Sequence, residues 1–386
     1  MKLSHFLIFL TIALSVYGSI NYYIFIRGWQ AIPKIPLIRI IYSVLFLLIV
    51  ASYIAGRIAE RFKICAASEA LIWIGSFWLA IMIYLFLTIL IIDLARVLNR
   101  IFNFLPAFIT YNYGKTKLIA AGGTLIISLI VTLIGFLNAC SPAIKKLDLI
   151  IPKKTNGFTS LHIAMASDIH LGTIISNSRL EKLVDMINEL NPDIVLLAGD
   201  IVDEDLAPVI KNNLGETLLK LKSQYGTYAI TGNHEYIGGA EAAIKYLEDH
   251  NIHVLKDKVI KIGGKFYIVG RDDKSSNRYG GSKRKSLTEI LKDTDRTLPI
   301  ILMDHQPFSL NEAVENNVDI QLSGHTHHGQ LWPFNFITSK IYEVSTGYKK
   351  ITGTHFYVSS GYGTWGPPVR TSSRPEIVSI FLRFKD

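Results

Sequence analysis

Seven side chains able to ligate a metal fall into five short motifs in the second half of the chain: Asp168 and His170, then Asp200, Asn233, His305, and finally His325 with His327. The last pair sits in Gly324-His325-Thr326-His327-His328-Gly329-Gln330, two histidines one residue apart with a glycine on either side. Neutral imidazole is the commonest protein ligand for transition metals, and flanking glycines let backbone approach an ion closely. Two aspartates, one asparagine and four histidines are too many for one ion of tetrahedral preference. They suit two ions that share a bridging carboxylate. Mixed imidazole and carboxylate ligation favours Zn, Fe or Mn over Ca or Mg. Such a pair would clamp a phosphate and lower the pKa of a bridging water, whose hydroxide attacks phosphorus in line.

Each motif follows a short apolar run that reads as a buried strand. Residues 161–167 lead into Asp168-Ile169-His170, and 193–198 into Gly199-Asp200-Ile201-Val202-Asp203. Residues 227–230 lead into Gly232-Asn233-His234-Glu235, 299–303 into Asp304-His305, and 318–322 into the histidine turn. Helices are expected between them: one capped at Asn177 or Ser178 with Leu180, Leu183, Val184 and Ile187 on its buried face, then 207–221, 240–250 and 310–316. A β-rich stretch over 254–269 turns at Gly263-Gly264, residues 274–285 form a basic surface loop, and strands near 355–359 and 377–384 complete a second sheet. Ligands of open α/β sheets lie beyond the carboxyl ends of the strands, so the five motifs are expected to converge. Singly, Asp200 reads equally as a helix cap, Asn233 as a turn residue and His305 as a core histidine.

The series Asp168-x-His170, Gly199-Asp200-x-x-Asp203, Gly232-Asn233-His234-Glu235, His305 and Gly324-His325-x-His327 resembles the full signature of the calcineurin-like metallophosphoesterases, over about residues 160–386. The resemblance implies an α/β fold, a four-layer αββα sandwich with a two-metal site at one edge. It implies that Asp168, His170, Asp200 and His327 hold one ion, and that Asp200, Asn233, His305 and His325 hold the second, Asp200 bridging. His234 would stabilise the transition state or protonate the leaving oxygen, oriented by Asp203. Asp203 stands where purple acid phosphatases have a tyrosine ligand, which argues against a charge-transfer iron site. Glu204 stands where protein Ser/Thr phosphatases have arginine, which argues against a protein substrate. The histidine turn and the tail Ser360-Gly361-Tyr362-Gly363-Thr364-Trp365-Gly366-Pro367-Pro368-Val369-Arg370 resemble the membrane-associated branch, with its phosphodiesterases and UDP-2,3-diacylglucosamine pyrophosphatases. Arg370 reads as a phosphate contact, because a guanidinium fork suits phosphate oxygens, or as a surface arginine after the Pro-Pro turn. Tyr362 and Trp365 would dip into lipid, line a pocket or simply pack.

Of the 386 residues 49% are hydrophobic and the mean hydropathy is +0.31, an excess concentrated before residue 140. Residues 6–26, 38–55, 70–92 and 118–137 are each apolar enough to cross a bilayer, the first being too long for a signal-peptide core. Tyr22, Tyr23, Trp29, Tyr111 and Tyr113 read as interfacial anchors, and residues 96–108 as a surface-lying segment. Asp93 is the only ionisable candidate within a span, and as a span-end residue it reads as solvated, which makes this half an anchor. The expected organisation is an all-α region of four transmembrane helices over 1–140, a linker over 141–158 and a catalytic domain over 159–386. Basic residues flank the spans almost equally, leaning toward a cytoplasmic catalytic domain in a multi-pass protein of the plasma membrane. The net charge of +9 sits largely beside apolar runs, so no nucleic-acid partner is expected. With only Cys65 and Cys140, the globular half has neither a disulfide framework nor a thiolate site. The function expected is hydrolysis of a phosphodiester or pyrophosphate in a lipid-linked or membrane-proximal substrate. A phosphomonoesterase and a non-catalytic metal-binding scaffold are the alternatives.

Overall fold

The computed structural model describes residues 3–153, 155, 157–279, 281 and 283–385. All four apolar stretches lie in helices: α1 (Leu3–Ala31), α2 (Pro36–Phe62), α3 (Ala66–Phe102) and, after the short α4 (Ala107–Tyr111), α5 (Tyr113–Ala139). Among the described residues α2, α3 and α5 are long and apolar enough to cross a membrane. Ile24, Trp78, Met82 and Leu85 pack into a small core, while Leu47, Leu48, Ile130 and Ile134 remain exposed. A helix apolar on its outer face as well as its inner one suits lipid rather than water.

Two local expectations change here. Residues 96–102 continue α3 in helical register until Asn103, whose φ of 50° ends the helix, so this part does not form a separate surface segment. Asp93 is not simply solvated. Its carboxylate accepts from Tyr23 Oη at 2.5 Å and lies 2.6 Å from Arg27 Nη2 and 3.1 Å from Arg96 Nη1, which joins α1 to α3.

The remainder is a sandwich of two six-stranded sheets. The first has the order β1 (Ala143–Ile151), β12 (Glu376–Phe384), β2 (Ser160–Ala166), β3 (Ile194–Ala198), β4 (Thr227–Ile230), β5 (Ile252–Val254). The second runs β10 (Gly347–Ile351), β11 (Thr354–Val358), β9 (Ile320–Ser323), β8 (Ile300–Met303), β7 (Phe266–Gly270), β6 (Lys258–Ile262). Alternate residues of each strand face the other sheet: Ile163, Met165, Leu196 and Ile380 from the first meet Phe266, Ile268, Ile301 and Leu322 from the second. Helix α6 (Asn177–Glu189), the short α7 (Ala207–Lys211) and α8 (Leu214–Leu218), and α10 (Ala240–Glu248), which follows α9 (Asn233–Gly238), cover the outer face of the first sheet. Helices α11 (Leu287–Ile290) and α12 (Asn311–Glu315) cover that of the second, and α13 (Asn335–Ile341) follows the histidine turn. The fold is the four-layer αββα arrangement.

Three elements depart from expectation. Strand β12 lies in the first sheet, between β1 and β2, rather than completing the second. Its residues are buried on both faces along Glu376–Ile380, so its apolar run is consistent with either sheet and pairing alone decides. The stretch expected as linker contains β1, parallel to β12, with Leu149 and Ile151 buried and Lys146 and Asp148 exposed. The helix expected over 207–221 is broken into α7 and α8 by Asn213, whose φ is 51°.

Phe266 is fully buried between the sheets, stacked on Phe158 at 5.9 Å and edge-on to Tyr225 at 5.8 Å. Phe266→Ala is expected to destabilise the sandwich by about 3–5 kcal/mol, read as a lower midpoint in chemical denaturation.

Candidate metal centre

Strands β2, β3 and β4 pair in parallel and end side by side, as do β8 and β9 in the facing sheet. The loops that leave them are tied together across the sandwich. Asp168 N donates to Gly199 O and His170 N to Asp200 O, both at 3.0 Å. From the second sheet, His305 Nδ1 donates to Ala198 O at 2.8 Å and His325 N to the Asp168 carboxylate at 2.8 Å. Such close approach excludes side chains at two glycines. A Cβ on Gly199, whose φ is +89°, would lie 2.6 Å from His305 Nδ1, and one on Gly324 would lie 2.2 Å from Asp168 Oδ2. Asp168, His170, Asp200, His325 and His327 all have φ between 45° and 73°. For non-glycine residues this costs on the order of 1 kcal/mol each or more, and it persists where surrounding bonds over-determine the backbone.

Two groups of ligand atoms result, each spanning no more than 4.8 Å. In one, His170 Nε2 and His327 Nε2 are 3.0 Å apart and His327 Nε2 is 3.5 Å from Asp168 Oδ1. In the other, His305 Nε2 is 3.0 Å from Asp200 Oδ2, and the His305 and His325 rings are 5.2 Å apart. Asp168 Oδ2 and Asn233 Oδ1 are buried with no hydrogen-bond partner, a costly state that a bound cation would relieve. Burial together with the charge on His305 pushes His325 down to about 4, and burial with Arg370 pushes His327 well below the usual range, so both offer neutral imidazole. His305 goes the other way. Burial would lower it, but the Asp200 carboxylate outweighs burial and raises it well above the ordinary imidazole range. The donor set thus fits transition-metal ions.

A third cluster adjoins the first. His234 Nδ1 is 3.1 Å from Asp203 Oδ1, and His170 Nδ1 is 3.6 Å from the same oxygen. Burial works against charge on His234, yet Asp200, Asp203 and Glu204 together raise it to about 9. Nearby metal cations would draw this back toward neutrality, where a general acid is most effective. The backbone N–H of His234 donates to Asp200 Oδ1 at 2.8 Å, so His234 is held by a candidate ligand.

Glu235 is a further residue of the site, one that its motif alone does not announce. Its buried carboxylate accepts four backbone N–H groups: Gly232 and Ile201 at 2.7 Å, Val202 at 2.9 Å and Asp200 at 3.2 Å. It thereby joins the loops after β3 and β4. The available signal was its place three residues after Gly232, the N-terminal capping position of α9.

Arg370 is neither a surface arginine nor an open phosphate contact. It is fully buried, and all its donors are engaged: Nε and Nη2 with Gly363 O at 2.9 and 2.6 Å, Nη1 with Ser360 O at 2.6 Å and Ser373 Oγ at 3.0 Å, and Nη2 also with His327 Nδ1 at 2.9 Å. A guanidinium only donates, so His327 accepts at Nδ1 and its ring is fixed with Nε2 toward His170 and Asp168. The loop after β11 is therefore a sixth contributor to the site. Tyr362 is also packing, buried with its hydroxyl donating to Arg179 O at 2.7 Å, whereas Trp365 is 54% exposed. His328 is half-buried, with Nδ1 3.1 Å from Ser345 Oγ. Arg370→Met is expected to weaken metal affinity about 10- to 100-fold, measured by calorimetric titration, with Arg370→Lys recovering part of the loss.

The family profile for calcineurin-like phosphoesterases matches residues 161–329. A metallophosphoesterase of Campylobacter jejuni is 31% identical over 390 residues, 98% of this chain and 99% of that protein. A transmembrane protein with metallophosphoesterase domain from Danio rerio is 33% identical over 67% of this chain, which spans 62% of that relative's length. Among solved structures, the NAD nucleotidase of Haemophilus influenzae is 19% identical over 53% of this chain and 45% of its own, with a TM-score of 0.36.

Proposed function

The chain belongs to the calcineurin-like metallophosphoesterase family and is a metal-dependent phosphoester hydrolase of a membrane, and from that premise we propose that it cleaves a phosphodiester or pyrophosphate bond in a lipid-linked or membrane-proximal substrate. One observation carries the reading: two imidazole–carboxylate groups and the His234–Asp203 pair sit at one edge of the sandwich. In this reading Asp168, His170, Asp200 and His327 would hold one ion and Asp200, Asn233, His305 and His325 the other, with Asp200 common to both. When bound, the two ions (Mn, Zn or Fe) supply charge neutralisation for the phosphate and an activated water.

The chain's own side chains do the remaining work. Asp203 fixes His234 through Nδ1, which leaves Nε2 to deliver a proton to the departing oxygen. Glu235 holds the backbone of Asp200 and Gly232, so the bridging carboxylate and the acid keep one geometry. The helical region over about 1–140 anchors the catalytic domain in the plasma membrane as a multi-pass protein, with the catalytic side facing the cytoplasm.

With Mn or Zn the purified full-length protein is expected to hydrolyse bis-p-nitrophenyl phosphate faster than p-nitrophenyl phosphate; the reverse order would favour a phosphomonoesterase. His234→Ala should lower turnover by about 10²- to 10⁴-fold with metal content retained. Asp200→Asn should lose both metal and turnover, and full activity in that variant would refute the assignment.

A further inference from the structure

The segment that follows the histidine turn leaves its apolar side chains uncovered. Helix α13 buries none of its residues. Phe336, Ile337 and Ile341 are 59%, 53% and 57% exposed, and Trp332 and Phe334, which lead into the helix, are 48% and 37% exposed. Trp365 belongs to the same rim. The Gln330 side chain donates to Trp365 O at 2.9 Å and accepts from Trp365 N at 3.0 Å, while Trp332 N donates to Thr371 Oγ1 at 2.8 Å. The Trp365 ring lies 5.8 Å from that of His234, so the rim borders the reacting edge. Exposed Lys340 stands in the same segment.

Water-facing surfaces seldom concentrate so many large apolar side chains, and such patches mark contact with another phase or molecule. The chain itself indicates the occupant. Among the described residues three helices are long and apolar enough to cross a membrane, so its catalytic unit is tethered to a bilayer. Tryptophan with bulky aliphatic residues and lysine is the composition of segments that lie in the lipid–water interface. We propose that residues 332–341, with Trp365, insert into the bilayer interface, so that the metal centre works on a phosphoester held in the headgroup layer. This rests on the phosphoesterase reading and adds where the substrate is met.

The test uses the full chain in nanodiscs of anionic phospholipid, with Cys65→Ser and Cys140→Ser as background. An environment-sensitive fluorophore is attached through Ile337→Cys or Ile341→Cys, and through Glu241→Cys, exposed on α10, as the reference. Quenching by spin-labelled lipid at 337 and 341, with protection from iodide and the opposite at 241, is the expected result. Free access of iodide at 337 overturns the proposal. Protection from iodide without lipid quenching also overturns it, because protein, such as a second copy of the chain, would then cover the rim. In parallel, Phe336→Ser with Ile337→Ser should lower hydrolysis of a nanodisc-borne fluorogenic phosphodiester lipid about tenfold relative to bis-p-nitrophenyl phosphate, about 1.4 kcal/mol. Equal losses on both substrates would count against insertion. If the unsubstituted protein cleaves neither substrate, the phosphoesterase reading fails, and the fluorescence result still decides insertion.

Discussion

Asp168 and Asp200 are buried carboxylates at the ends of neighbouring parallel strands, and most of the surrounding architecture compensates for them. A charge removed from water must be paired or solvated by the protein. Asp200 is held well below the usual carboxylate range because nearby imidazoles outweigh the cost of burial. Asp168 accepts the His325 backbone N–H on one oxygen and leaves the other buried without a hydrogen-bond partner. The facing sheet is therefore more than a hydrophobic cover. It brings His305 and His325 against the carboxylates of the first sheet, and neither sheet alone holds a complete donor set.

The same requirement explains the strained backbone. Five candidate ligands take left-handed φ values, which only a dense network of bonds can maintain. Glu235 and Arg370 are the buried ions of that network. One accepts backbone N–H groups from the loops after β3 and β4, and the other ties the loop after β11 to His327. Both resemble catalytic residues in type, yet their hydrogen bonds are turned inward. They set where the reacting groups stand.

The helical region and the sandwich answer to different solvents. In the helices apolar side chains face outward, and the polar groups of Tyr23, Arg27, Asp93 and Arg96 find one another. In the sandwich most apolar side chains are buried between layers, and the run along α13 and its approach is an exception. That exception places an interfacial surface beside His234 through Trp365.

Residue type and short-range periodicity are local properties, so the ligand inventory, the strand-end placement of each motif and the apolar helices were legible along the chain. Asp168, His170, Asp200, His305, His325 and His327 could be named from spacing, and the structure brings their atoms into two groups. Pairing partners were not local. Nothing in residues 376–384 states which sheet they join, and the lysines of β1 concealed a strand completed only by β12. The break at Asn213 likewise lay within an acceptable helical pattern. Arg370 shows the limit most clearly. Its side-chain chemistry suited phosphate, but only the tertiary structure revealed that Gly363, Ser360, Ser373 and His327 already occupy its donors. A hydrogen-bonding group's role depends on which partners reach it first, and that is decided by packing between residues far apart in the chain.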